Sequence, residues 1–137
     1  MKPTDSATGA ALTATSCRAV AAQELGELMR ALAHPQRIMI IEHLRAGERD
    51  VSSMAAWLDV STSRISQHLS VLRAHHLVRE RREGRHVYYS LVAPPIAAWL
   101  ANGLSFVEAE IWDSSDRHAA CEQARQLWLD PGADPAR

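Results

Sequence analysis

The residues best suited to chemistry lie in one short run, Ser61-Thr62-Ser63-Arg64-Ile65-Ser66-Gln67-His68. Hydroxyls, a guanidinium and a carboxamide on one helix are groups that hydrogen-bond base edges and phosphates. Arginine suits guanine, glutamine suits adenine, and serine suits either. Two further arginines, Arg82 and Arg85, bracket Glu83-Gly84 and could meet phosphates or a minor groove. The two thiols, Cys17 and Cys121, could form a disulfide or persulfide or capture a thiophilic metalloid. No third polar residue is arranged to activate either cysteine as a nucleophile, so a thiol enzyme is not expected.

These residues need elements to hold them. Ser61 is placed to cap a helix that runs to about His75, with Ile65, Leu69, Leu72 and His76 on one line. Ser63, Gln67, Ser70 and Ala74 form the opposite line, with Arg64 beside it. A short helix over about 52–58 precedes it, carrying Met54, Trp57 and Leu58. A short helix, a tight turn and an amphipathic helix with a polar first half make a helix-turn-helix. The period then changes from 3.6 to 2: LVRERREGRHVYYSL alternates on both sides of Glu83-Gly84-Arg85, with Val87, Tyr89 and Leu91 sharing a face. This pattern predicts a β-hairpin with a basic tip.

Upstream, Ser16 can cap a helix from Cys17 toward Ala33, with Ala21, Leu25, Leu28 and Leu32 on one face. His34-Pro35 breaks it, and Pro35 suits the first position of a helix over 35–46 that Gly47 ends. Downstream, Pro94-Pro95 starts a helix whose Ile96, Leu100, Leu104, Val107 and Ile111 trace an apolar stripe that suits a partner helix. Asp113-Ser114-Ser115-Asp116 reads as a break and recap before a last helix with Cys121, Ala124 and Trp128 on one face. The expected organisation is a flexible arm at 1–15, one domain at 16–129 and a frayed tail at 130–137. The fold class is mainly α with a β-hairpin wing.

A length of 137 residues and 47% hydrophobic content suit a single domain with a core. No apolar run is long enough to cross a membrane, and the first residues lack a secretory apolar core. With few cysteines, a cytoplasmic, reducing setting is expected. The formal charge of −1 hides a segregation. Residues 61–91 hold six arginines against Glu80 and Glu83, a surplus of +4, while residues 92–137 carry −4. A basic segment of this kind is the footprint of a nucleic-acid face.

LMRALAHPQRIMIIEHL, VSTSRISQHLSVLRAHHLV and GRHVYYSL, in this order, resemble the ArsR/SmtB family of bacterial winged helix-turn-helix repressors over about residues 25–91. The resemblance implies a homodimer built from the first and fifth helices, and binding to a double-stranded DNA operator that an inducer relieves. It implies DNA contacts at Ser63, Arg64, Ser66, Gln67 and His68, with Ser61 and Thr62 at the same helix start and wing contact near Arg85. One departure is His76, where the family usually has glycine.

Relatives of this kind often sense metals, yet the matching positions here are Asp50-Val51-Ser52 in the third helix and Ala93, Pro95, Phe106 and Ala109 at the fifth. Neither set supplies the thiolates or the four ligands such sites need, so no metal or other cofactor is expected. The positions of a sulfane-sulfur branch carry Glu42 and Glu108, which either face one another or are solvated, the second being favoured. Cys17 and Cys121 remain as candidate sensing residues, with Arg18 and the first helical turn favouring the Cys17 thiolate and His118 one turn before Cys121. A metalloid effector, or an organic one lined by Trp99, Phe106 and Trp112, is the alternative within this fold. A winged-helix protein-interaction module without an operator is the alternative of another class.

Overall fold

The computed structural model describes residues 13–111 and 114–134; the expected arm up to residue 12, Trp112, Asp113 and the last three residues lie outside them. Six helices and three strands follow in the order α1 Ala14–Leu32, α2 Pro35–Leu44, β1 Arg49–Asp50, α3 Val51–Leu58, α4 Thr62–Ala74, β2 Val78–Glu83, β3 His86–Leu91, α5 Pro95–Glu110 and α6 Ser115–Leu129 among the described residues. The first helix starts earlier than expected. Thr13, not Ser16, is its cap, with the Thr13 hydroxyl accepting from the Ser16 amide at 3.1 Å.

Most other helix starts follow side-chain chemistry. His34 accepts from the Gln36 amide through Nδ1 at 3.1 Å, and Pro35 opens α2. Asp50 caps α3 by accepting from the Ser53 amide at 2.8 Å, and Ser61 caps α4 by accepting from the Arg64 amide at 3.2 Å. Ser114 caps α6 through the Arg117 amide.

The core gathers under the helix-turn-helix. Ile40, Ile41 and Leu44 of α2, Met54 of α3, and Ile65, Leu69 and Leu72 of α4 are buried, closed by Val78 and Leu91 of the hairpin. Val51, Leu58 and Val60 pack around them. Burying each such aliphatic side chain contributes about 1.5–3 kcal/mol, so this cluster anchors α4 by one face only.

The two-residue hairpin loop is Gly84-Arg85, between the paired Glu83 and His86. Gly84 takes a φ of +59°, which the first loop position of a tight hairpin requires. A third strand was not foreseen. Arg49 and Asp50 pair antiparallel with Tyr89 and Tyr88, giving the sheet order β1-β3-β2.

Among the described residues, two non-glycine residues hold left-handed conformations, Asp59 at φ +53° and His76 at φ +57°. Both close a helix. At the end of α4 the Leu77 amide donates to the Leu72 carbonyl at 2.9 Å and the His76 amide to the Arg73 carbonyl at 3.0 Å, the two-bond ending that usually takes glycine. A side chain there is strained. His76→Gly is expected to stabilise the fold by about 1 kcal/mol. At fixed protein concentration, a higher urea midpoint with an unchanged slope checks it.

Candidate nucleic-acid interface

The helix-turn-helix seats α4 by one face and leaves the other in solvent. Its buried line is Ile65, His68, Leu69 and Leu72. Thr62, Ser63, Arg64, Ser66, Gln67 and Ser70 are all exposed on the other side. The Ser61 hydroxyl oxygen is engaged in the cap, which fixes the first turn that carries them. Asp59, in its left-handed conformation, and Val60, whose amide reaches the Ala55 carbonyl, set the turn between α3 and α4. Sequence and geometry therefore put Ser63, Arg64 and Gln67 on one solvent face of a rigidly seated helix.

His68 departs from that group. It is 9% exposed, and its Nε2 lies 2.8 Å from Oε1 of Gln36. Its ring centroid is 4.4 Å from that of His34. Burial, then the charges of His34, Arg37 and Arg64, hold its pKa below the ordinary histidine value. His68 therefore faces inward and joins α4 to the start of α2. Its place among the DNA contacts is corrected to a seating role. Gln36, the partner that makes this possible, was missed; its signal was its place just after His34-Pro35 at a helix start.

The wing's charge is more compensated than the sequence suggested. Glu80 accepts from Arg73 Nη1 at 2.9 Å, Arg82 Nε at 3.3 Å and the Tyr89 hydroxyl at 3.0 Å. Arg81 pairs with Glu48 and Glu83, both at 2.7 Å, and lies over the Tyr88 ring. The Tyr89 hydroxyl, then Arg82, hold the Glu80 carboxyl below its usual range. Of the six arginines in the basic segment, Arg64, Arg79 and Arg85 have no ion-pair partner among the described residues. Arg85 stands exposed at the hairpin tip and Arg82 stays largely exposed despite its ion pair. A phosphate would compete with Glu80 for Arg82 but would meet Arg64 and Arg85 unopposed.

A second exposed surface is apolar. Val20, Leu25 and Met29 of α1 and Trp99, Phe106 and Val107 of α5 all project into solvent, Phe106 at 77% exposure. Of the one-face line Ala21, Leu25, Leu28 and Leu32, Ala21 and Leu25 are exposed, Leu28 is half-buried and Leu32 is buried. Met29, Ile38, Met39, Trp99, Phe106 and Trp128 are among the residues that line a groove of about 630 Å³ beside this surface. The α5 stripe is split: Ile96, Leu100 and Leu104 are half-buried, while Val107 is open.

Cys17 lies exposed in the first turn of α1, and Cys121 is half-buried in α6. They sit on helices that pack elsewhere, α1 on α2 and α4, and α6 on α5, and no disulfide joins them. His118 turns its Nδ1 toward the Glu108 carbonyl at 3.2 Å. Glu42 and Glu108 neither face one another nor stand solvated. Glu42 is buried against Arg45 at 3.1 Å, and Glu108 is paired with Arg125 at 2.9 Å. Burial raises the Glu42 pKa against the lowering effect of Arg45. Among the described residues, no group of three or more His, Cys, Asp or Glu side chains is placed to hold a metal ion. Nor is any helix there long and apolar enough to cross a membrane.

Residues 34–80, from the cap of α2 to the first half of the wing, match the family model described as bacterial regulatory protein, arsR family. An HTH-type transcriptional regulator of Mycobacterium tuberculosis, Rv0081, is 37% identical over 100 residues, covering 72% of this chain and 85% of that protein. The chain belongs to the ArsR family of bacterial transcriptional regulators. This ArsR-family protein is therefore a DNA-binding regulator and not an enzyme. It is also similar to a transcriptional repressor SmtB homolog of Synechocystis, 44% identical over 70 residues. That match spans 51% of this chain and only about half, 53%, of the relative. The crystal structure of NolR from Sinorhizobium fredii superposes with a TM-score of 0.59 at 31% identity, covering 78% of this chain and 96% of that one. The ArsR-family fold accounts for the winged helix-turn-helix architecture, including the hairpin wing.

Proposed function

We propose that this ArsR-family protein is a homodimeric repressor of a double-stranded DNA operator. Ser63, Arg64 and Gln67 read the major groove, with Thr62 and Ser66 beside them. Arg82 and Arg85 bring the wing to the backbone or minor groove. The observation that carries this reading is the state of α4. Its apolar line is fully seated, while Arg64 and Gln67 stand exposed, and Arg64 has no competing carboxylate among the described residues. The exposed α1 and α5 side chains support dimerisation, because a surface of this apolar area is normally covered. Gel-shift titration of the protein on its own promoter region tests the reading. Retention that a scrambled duplex competes away equally well would overturn it.

The effector is proposed to act on Cys17 and Cys121. Oxidation of two thiols to a disulfide passes two electrons to an oxidant and releases two protons; a polysulfide would instead leave an added sulfur between or on them. One support is placement: Cys17 is exposed near the start of α1, whose first half has little packing within its own protomer, and Cys121 lies on a helix against α5. Both belong to the region where protomers would join. Polysulfide or oxidant is expected to lower operator affinity at least tenfold, and Cys17→Ser and Cys121→Ser each to abolish that response. An unaltered response in either variant, or mass spectra without modification of these thiols, would count against it.

A further inference from the structure

Residues 130–134 were expected to fray, yet they are bound to the DNA-binding half of the molecule. Arg45, at the end of α2, is the anchor. Its Nη1 donates to the Asp130 carbonyl at 2.9 Å, and its Nη2 to the carbonyls of Leu127 at 3.0 Å and Ala133 at 2.7 Å. Its Nε donates to Glu42 at 3.1 Å, and the side chain is only 10% exposed. One guanidinium thus gathers three carbonyls at and just past the end of α6, two of which also accept backbone amides, where a cation is favoured by the helix dipole.

A second tie lies further along. Asp134 pairs with Arg49 at 3.4 Å. Arg49 directly precedes Asp50, the cap of α3, and lies in β1 opposite Tyr89 of the wing. The tail also flanks the buried interior. Leu127, Trp128, Ala133 and Asp134 close a cavity of about 260 Å³ against Glu42 and Trp57. Trp57 stacks on His43 with ring centroids 4.3 Å apart, and burial keeps the His43 pKa low.

We infer that residues 127–134 form a strap that fixes α6 to the helix-turn-helix and thereby sets the orientation in which α4 is presented. The route is continuous: α6 through Arg45 to α2, which packs directly on α3 and α4, and the tail through Arg49 to the cap of α3. A dimer that reads two half-sites needs its reading helices held about 34–36 Å apart. Loosening the strap leaves α6 held only through its packing on α5 and adds freedom that operator binding must remove. Arg45 and Asp134 are positioning residues in this account and need no contact with DNA.

The test uses the full chain with Arg45→Gln, Asp134→Asn, Asp134→Arg, and the charge swap Arg49→Asp with Asp134→Arg. Amide exchange over residues 126–134 and operator affinity are measured together. Arg45→Gln is expected to speed that exchange at least tenfold and to weaken operator binding five- to tenfold. Asp134→Asn should do the same to a smaller degree, with unchanged dimerisation and melting. The charge swap should recover most of the affinity that Asp134→Arg loses. Faster exchange with unchanged operator affinity would make the strap merely structural and overturn the inference. So would unchanged exchange in Asp134→Asn, or a swap no better than Asp134→Arg.

Discussion

Replacing Arg64 and Gln67 with alanine is expected to abolish discrimination between the operator and unrelated duplex while leaving the fold intact. Both side chains are exposed and neither touches the core under α4, so their removal opens no cavity. A bidentate pairing with a base edge contributes about 1–3 kcal/mol of discrimination, and each half-site of a dimeric complex would lose it. The two substitutions act differently on salt dependence. Arg64→Ala removes a charge and flattens the slope of affinity against salt, whereas Gln67→Ala changes specificity without changing the slope. Arg85→Ala is the contrast: with the wing tip on the backbone it should weaken binding to all sequences alike, and a loss confined to A·T-rich flanks would put it in the minor groove. Competition titrations at two or more salt concentrations separate these outcomes. Retention of sequence preference in the double variant would mean that α4 does not read bases.

Phe106→Glu is expected to dissociate the dimer and, with it, operator binding. Phe106 is 77% exposed in the single protomer, next to Trp99 and Val107 on the same helix. A phenylalanine so placed gains about 1.5–3 kcal/mol when a partner covers it. A glutamate in its place would either carry an unpaired charge into an apolar contact or keep the contact open, and each outcome costs several kcal/mol more. The monomer itself loses little, because residue 106 is not part of its core. Sedimentation should therefore show a folded monomer at concentrations where the parent chain is dimeric. A variant that stays dimeric would place the subunit contact elsewhere.

Helix α4 was legible because three independent signals agreed on it. Ser61 marked its start, Ile65, Leu69 and Leu72 marked its buried line, and the switch to alternation after His76 marked its end. For His68 the resemblance implied DNA contact while its spacing pointed to structure: it falls three residues after Ile65 and four before Leu72, on the core side. Its hydrogen-bond partner is Gln36, 32 residues away, which local pattern does not reveal. β1 was hidden because it has two polar residues and exists only through pairing with Tyr88 and Tyr89. The compensation of Arg73 and Arg82 by Glu80 depends on how the hairpin folds back toward α4, which local pattern does not encode. The tail was hidden for the same reason, since Arg45 and its carbonyl partners are more than 80 residues apart. The strain at His76 was signalled by the departure from the family's usual glycine, the residue that a left-handed helix ending favours.

Base-resolution footprinting of the protein on its own promoter region shows whether α4 reads an operator. Two protected patches with major-groove guanine and adenine contacts are expected, their centres one helical turn of about 10 base pairs or a multiple apart. Arg64→Ala with Gln67→Ala should erase both patches together. Uniform weak protection along the fragment, or discrete patches that persist in that double variant, would contradict it.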